Sequence, residues 1–90
     1  MDKIESRLKM WCLGFGIDPE VTDRPDAQEA LKRKDGLAVY EVITRHGKAL
    51  SGLKMDRPNR NSHLLECQAI VNDNEEGFLL AALLGGEKLR

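Results

Sequence analysis

The side chains best suited to nucleophilic or metal chemistry in this chain are two thiols and two imidazoles, those of Cys12, Cys67, His46 and His63. A thiol beside a histidine can act as a nucleophile, and four such ligands can hold zinc. Neither histidine, however, lies at ligand spacing from a cysteine or from the other histidine. Cys67 also lies among apolar residues, where burial raises a thiol pKa and suppresses its reactivity. We therefore expect reduced core thiols, no catalytic residue, no metal site and no cofactor.

A second candidate is a polar segment, residues 72–77, in which acidic and amide side chains precede a glycine as they do in calcium-binding loops. A helix-loop-helix calcium site needs a bidentate acidic residue six positions after that glycine. This chain has Leu83 there. The segment is therefore interpreted as a polar turn between two helices, followed by a negatively charged helix start.

Basic residues are concentrated in two parts of the sequence, residues 32–34 and 54–60, and two more lie between these parts. The candidates for binding a polyanion are Arg33, Lys34, Arg45, Lys48, Arg57 and Arg60. If the fold brings them to one face, they form a positive patch for nucleic-acid phosphates or for the acidic tails of a cytoskeletal polymer. We favour the alternative of solvated, balanced charges, because the aromatic residues, Tyr40 among them, have the pattern of core residues and are not free to stack on bases.

Length and charge limit the classes of function. A chain of 90 residues fits one domain with one core, which we interpret as a single small helical domain or as the N-terminal module of a longer protein. With a formal net charge of -1, it has no overall field for nucleic acid or an anionic membrane. The N-terminus lacks an apolar signal region, and the longest strongly apolar run, residues 78–84, is too short to span a bilayer. We expect an intracellular protein, cytoplasmic or nuclear, with no membrane partner.

Apolar residues recur at intervals of three and four, which predicts an all-α fold, a compact single-domain bundle of about five helices. The predicted helices span residues 2–13, 26–34, 36–50, 62–71 and 74–84. Ser62 is expected to cap the fourth helix together with Glu66, and Asn74 to cap the fifth. Gly85-Gly86 is expected to end the fifth helix.

The third of these helices carries an alternative. Val39, Val42, Ile43 and Thr44 are β-branched and also suit a strand, and His46-Gly47 can form a turn. The alternative fold is therefore α+β, with a hairpin near residues 37–55.

The fifth helix is apolar almost all round, so one small core has no room for all of its apolar side chains. The residues expected at an interface with a partner or with a second copy are Phe78, Leu79, Leu80, Leu83 and Leu84. Homodimerisation is the simplest form of this hypothesis.

Trp11 lies in the first predicted helix, and after a loop Asp35-Gly36-Leu37 begins a hydrophobic central helix. In this pattern residues 4–43 resemble the first part of a calponin-homology-type domain, a family in which these two features pack together in an all-helical core. The resemblance implies a non-catalytic module that binds actin, microtubules or a partner protein. It identifies no individual binding residue.

Two classes of function follow from these observations. The first is a non-catalytic protein-protein interaction, adaptor or assembly module, with a protein partner or itself as the partner. The second is a small nucleic-acid-binding regulator that uses the basic residues named above. An enzyme is not expected, because no nucleophile, base or oxyanion element is visible.

Overall fold

The computed structural model describes residues 3–48, 50 and 60–88, with the side chains of residues 3–48, 50 and 62–83. Over these residues the chain is all-α, with five α-helices and no strand, which confirms the predicted helical bundle. The helices are α1 (Lys3–Gly14), α2 (Pro25–Lys32), α3 (Gly36–His46), α4 (Arg60–Val71) and α5 (Glu75–Lys88). A 3₁₀ helix (Pro19–Asp23) lies between α1 and α2.

Short polar side chains begin three of these elements by capping a free backbone N–H group. The caps are Asp18 for the 3₁₀ helix, Asp35 for α3 and Asn74 for α5. Their side-chain oxygens accept hydrogen bonds at 3.0, 3.1 and 2.9 Å from the backbone N–H groups of Glu20, Ala38 and Gly77. The predicted helix starts at Asp35 and Asn74 are thereby confirmed.

One hydrophobic core joins α1, the 3₁₀ helix, α2, α3 and α4, and Trp11 lies at its edge. The indole contacts the Phe15 ring edge-on, with ring centroids 4.9 Å apart, and its Nε1 donates a hydrogen bond to Glu66 Oε1 at 3.1 Å. The innermost side chains include Leu8, Cys12, Val39, Ile43, Cys67 and Val71. Trp11 therefore links α1 to α4 through both packing and a buried hydrogen bond.

Beside its apolar contacts, the 3₁₀ helix is bonded to α1 through Lys9. Lys9 Nζ donates to Thr22 Oγ1 at 2.7 Å, to Asp23 Oδ1 at 2.9 Å and to the Pro19 carbonyl oxygen at 3.4 Å. The ammonium group thus uses all three of its protons on one short segment.

The third helix ends earlier than predicted. It stops at His46, and the Gly47 N–H still donates to the Ile43 carbonyl at 2.8 Å. A Cβ on Gly47 would lie 2.5 Å from that carbonyl oxygen and 2.7 Å from Ile17 Cγ2, so only glycine fits where the chain leaves the helix. The segment that follows runs back along residues 16–18.

That return explains why no hairpin forms from the part of residues 37–55 that the structure describes. Residues 37–46 are helical, and the backbone after them pairs instead with residues 16–18, which connect α1 to the 3₁₀ helix. Asp18 N donates to Lys48 O at 2.8 Å, and Leu50 N donates to Gly16 O at 2.7 Å. Residues 49 and 51–55 of the alternative hairpin lie outside the described residues.

Two predicted helix boundaries near α4 and α5 are wrong. The fourth helix begins at Arg60, so Ser62 lies inside its first turn and is not its cap, and Glu66 bonds Trp11 instead. The fifth helix continues through Gly85-Gly86 to Lys88. Each glycine lowers helix stability by about 1 kcal/mol relative to alanine. The cost of two glycines does not end α5, because about three helical turns already precede Gly85.

A candidate interface on α4 and α5

Helix α5 is attached to the rest of the molecule mainly through α4. The two helices form an antiparallel pair, and no other described helix packs against α5 to a comparable extent. Phe78 is the α5 side chain that reaches the core cluster, and Ala81 is buried. Most of the circumference of α5 is therefore left without a partner in the described part of the chain.

The predicted interface residues divide into three groups. Leu79, Leu80 and Leu83 are 67%, 63% and 58% exposed. Phe78 is half-buried and packs against the core, so it stabilises the fold rather than presenting a free surface. Leu84 lies in α5, and its side chain is outside the described residues.

A leucine that the sequence reasoning did not select lies beside them on α4. Leu65 is 47% exposed, while its neighbour Leu64 packs against the core. Successive helix residues point about 100° apart, so a Leu-Leu pair cannot bury both side chains on one narrow face. The adjacent Leu64 and Leu65 were therefore the feature of the sequence from which an exposed leucine on α4 could have been predicted. We call the four exposed leucines, Leu65, Leu79, Leu80 and Leu83, the α4–α5 face.

A groove runs between the two helices on this face, with a volume of about 280 Å³. Its floor consists of small residues, and leucines stand at its edges. The lining includes Leu65, Ala69, Gly77, Leu80 and Ala81. Gln68, Asn72 and Asn74 add amide groups at the same groove. Ala69 and Ala81 are buried and have short side chains, which leaves space unfilled between the two helices.

The turn between α4 and α5 is tightly bonded, which fixes the angle of the groove. Asn74 N donates to Ala69 O at 2.8 Å, and Asp73 N donates to Ile70 O at 3.0 Å. Asp73 has a φ of 53°, the left-handed conformation that ends many helices and that Asn and Asp tolerate. This confirms the predicted polar turn at residues 72–74.

Two basic residues of α1 lie over this turn. Arg7 Nη1 is 3.4 Å from both Asp73 Oδ1 and Glu75 Oε1, and Lys3 Nζ is 3.7 Å from the same two oxygens. All four side chains are partly or largely exposed, so water screens each pair and each adds little stability. Together they hold the start of α5 next to α1.

The two cysteines are free and buried, as predicted. Burial raises the pKa of the Cys12 thiol from 9.0 to about 12, an effect that the nearby positive charge of Lys9 only partly offsets. Burial also raises the pKa of Cys67, and the neighbouring Cys12 raises it further. Cys67 Sγ lies 3.8 Å from the Gly36 carbonyl oxygen, which suits a protonated thiol as donor. Neither thiol has the exposure or the low pKa of a nucleophile.

The described residues contain neither a metal-binding cluster nor a membrane-spanning helix. No group of three or more His, Cys, Asp or Glu side chains in this part of the chain is arranged to hold a metal ion. None of the helices described is long and apolar enough to cross a membrane. His63 is buried against Phe15, with ring centroids 4.4 Å apart, and His46 is exposed at the end of α3.

The structure does not bring the described candidate polyanion-binding residues to one place. Arg33 and Lys34 lie in the turn before α3, whereas Arg45 and Lys48 lie at its far end. At 1.5 Å per residue, the two pairs are roughly 16 Å apart along the helix axis. All four are exposed. Arg57 and the side chain of Arg60 lie outside the described residues.

No family model matches this chain, and no curated protein or solved structure shows a significant similarity to it. Its function is therefore inferred from the geometry of the α4–α5 face.

Proposed function

We propose that this protein is a non-catalytic protein-protein interaction module that assembles with a second copy of itself through the α4–α5 face. The observation that carries the proposal is the exposure of Leu79, Leu80 and Leu83, each more than half open to solvent on a helix packed mainly against α4. Leucines scattered singly over a surface are ordinary, whereas a contiguous exposed apolar patch of a few hundred Å² is often functional.

The area of the face suits a weak homodimer. A leucine side chain contributes on the order of 100 Å² of apolar surface, so the four leucines, each about half to two thirds exposed, present on the order of 240 Å². Two copies would remove about 480 Å² from water, and at about 65% apolar content the whole interface would be about 740 Å². Stable complexes begin at about 1,000 to 1,200 Å², so the dimer is expected to depend on protein concentration.

The chemistry of the face favours a second copy as the occupant. From Gly77 to Leu83 the helix carries no charged residue, so the face offers neither ion pairs nor charge steering to a polar partner. A two-fold dimer places the same patch against itself, and an uncharged leucine patch meets no like-charge repulsion there. A nucleic acid, whose backbone needs cations, gains nothing from this surface.

Other features agree with an interaction module rather than an enzyme. The buried thiols are held protonated, which removes the only strong nucleophiles of the described chain from reaction at neutral pH. Two free cysteines suit a reducing compartment, so an intracellular location, cytoplasmic or nuclear, belongs to this proposal. The calponin-homology resemblance, with a cytoskeletal polymer as partner, stays a prediction.

The proposal is tested by substituting one leucine of the face. Light scattering coupled to size exclusion is expected to give a mass above that of the monomer for the parent chain and the monomer mass for Leu80→Asp. Met10→Asp is the matched control, because Met10 is 70% exposed on α1, is not one of the four leucines of the face, and receives the same charge. If Leu80→Asp is folded by circular dichroism and associates as the parent does, the α4–α5 face is not the interface.

A further inference from the structure

The four exposed leucines do not form one flat surface. Leu65 and Leu80 stand at the edges of the α4–α5 groove, whereas Leu79 and Leu83 do not line it. Leu79 and Leu83 are four residues apart, which places them one above the other as a ridge along α5. A groove and a ridge therefore lie side by side on the same pair of helices.

Resting on the proposed function, we infer that the ridge of each copy inserts into the α4–α5 groove of the other, so that the two α4–α5 pairs form a four-helix bundle. A two-fold axis between the copies brings ridge to groove twice, which makes the surface self-complementary. Packing of ridges into grooves is also the general way in which helices meet.

The dimensions of the groove agree with such an occupant. A closed apolar cavity of about 150 Å³ accommodates a benzene molecule, so about 280 Å³ has room for a leucine side chain and part of a second. The small residues Ala69, Gly77 and Ala81 supply this space. Contact of ridge against ridge, by contrast, would leave both grooves open and bury fewer apolar atoms.

The two geometries predict different rescue pairs. If the ridge enters the groove, Leu79→Lys on one copy lies next to position 65 of the other copy, so Leu65→Glu provides it with an opposite charge. The heterodimer of these two variants then has one ion pair and one unchanged ridge-groove contact. If ridges meet ridges, Leu79→Lys is instead rescued by Leu79→Glu.

The experiment uses native mass spectrometry on mixtures in which one full-length variant is ¹⁵N-labelled, so that heterodimers are separated by mass. Each variant alone is expected to lose at least about tenfold in dimer affinity, equivalent to about 1.4 kcal/mol, because a charge enters an apolar contact. The mixture of Leu79→Lys with Leu65→Glu should restore a heterodimer, and the mixture of Leu79→Lys with Leu79→Glu should not.

Other results overturn the inference in distinguishable ways. A dimeric parent whose Leu79→Lys variant is rescued only by Leu79→Glu has a ridge-to-ridge interface, which leaves the proposed function standing. A folded Leu65→Glu that dimerises like the parent shows that the groove is not occupied. If Leu65→Glu does not fold, Gln68→Glu, which lines the same groove with a side chain of equal size, replaces it. A monomeric parent removes the proposed function itself.

Discussion

Gly36 lies so close to Gln68 that a Cβ on the glycine would stand 2.6 Å from Gln68 Cα. At this point the first residue of α3 touches the backbone of α4, and Cys67 Sγ faces the Gly36 carbonyl oxygen. The contact sets the position of α4 on the core, and α4 in turn carries α5. The position of the candidate interface on α4 and α5 thus depends on Gly36, which lies in α3.

Gly36→Ala is expected to destabilise the fold by about 1 to 3 kcal/mol, the usual range for forcing an extra carbon into packed structure. The neighbouring atom is backbone, which cannot rotate aside as a flexible side chain would. Urea unfolding followed by circular dichroism measures the change.

Gly14→Ala is the matched control for that substitution. In the part of the chain that the structure describes, nothing lies within 4 Å of a Cβ at Gly14, the last residue of α1. Alanine loses less conformational freedom on folding, so this variant should be as stable as the parent or more stable by up to about 1 kcal/mol. Equal destabilisation by the two alanines would contradict the close contact between α3 and α4.

The buried hydrogen bond from Trp11 to Glu66 gives a second prediction. Trp11→Phe removes the donor and leaves a buried carboxylate without its partner, which should cost about 2 to 4 kcal/mol together with the lost packing. The double variant Trp11→Phe, Glu66→Met should regain at least about 1 kcal/mol of that loss, because no unpaired polar group is left. A double variant less stable than Trp11→Phe alone argues against the bond.

Chemical labelling tests the state of the two thiols. Cys12 and Cys67 are buried and their pKa values are raised, so both should resist a thiol reagent at pH 8 in the native protein. In denaturant, both should react quickly. Rapid labelling of either cysteine under native conditions would contradict its place in the core.

The raised thiol pKa values also predict weakening at alkaline pH. The folded chain keeps a proton on Cys12 up to about pH 12, whereas the unfolded chain releases it near pH 9.0. The contribution of the protonated Cys12 thiol to the free energy of unfolding is therefore fully present below pH 9. It decreases as the pH rises further, by at most about 1.4 kcal/mol per pH unit. Unfolding free energies of the parent and Cys12→Ala should converge between pH 9 and 11. A constant difference over that range would show that the Cys12 thiol does not titrate in this way.

His63 provides the last prediction about stability. Its Nδ1 is buried and has no hydrogen-bond partner among the described residues, and its ring packs on Phe15. Because an unsatisfied buried polar atom costs about 1 to 3 kcal/mol, His63→Leu should leave the stability unchanged or raise it by about 1 kcal/mol. A loss above about 2 kcal/mol would mean that Nδ1 has a partner in solution.

Local patterns were sufficient to predict most of the fold. Asp35 and Asn74 are short polar residues before apolar helical spacing, and both act as caps. Trp11 and the cysteines lie on apolar stripes, and they are buried. These features depend on residues a few positions apart, which a sequence displays directly.

Features that depend on distant contacts were not predictable in the same way. Ser62 has the right type for a cap but lies inside α4, and Phe78 is apolar like Leu79 but packs inward. The side of α5 that meets the rest of the molecule carries Phe78 and the buried Ala81, and the small size of Ala81 matters only once the helices are paired. The groove, and Leu65 at its edge, follow from that pairing.

Sedimentation equilibrium of the parent chain tests self-assembly most directly. At protein concentrations up to about 1 mM, this method detects a dimer whose association free energy is as small as about 4 kcal/mol. The proposal predicts a dimer whose fraction rises with concentration and does not fall at high salt, because salt screens charges and not apolar contacts. A chain that remains monomeric over the whole range, at both low and high salt, would contradict it.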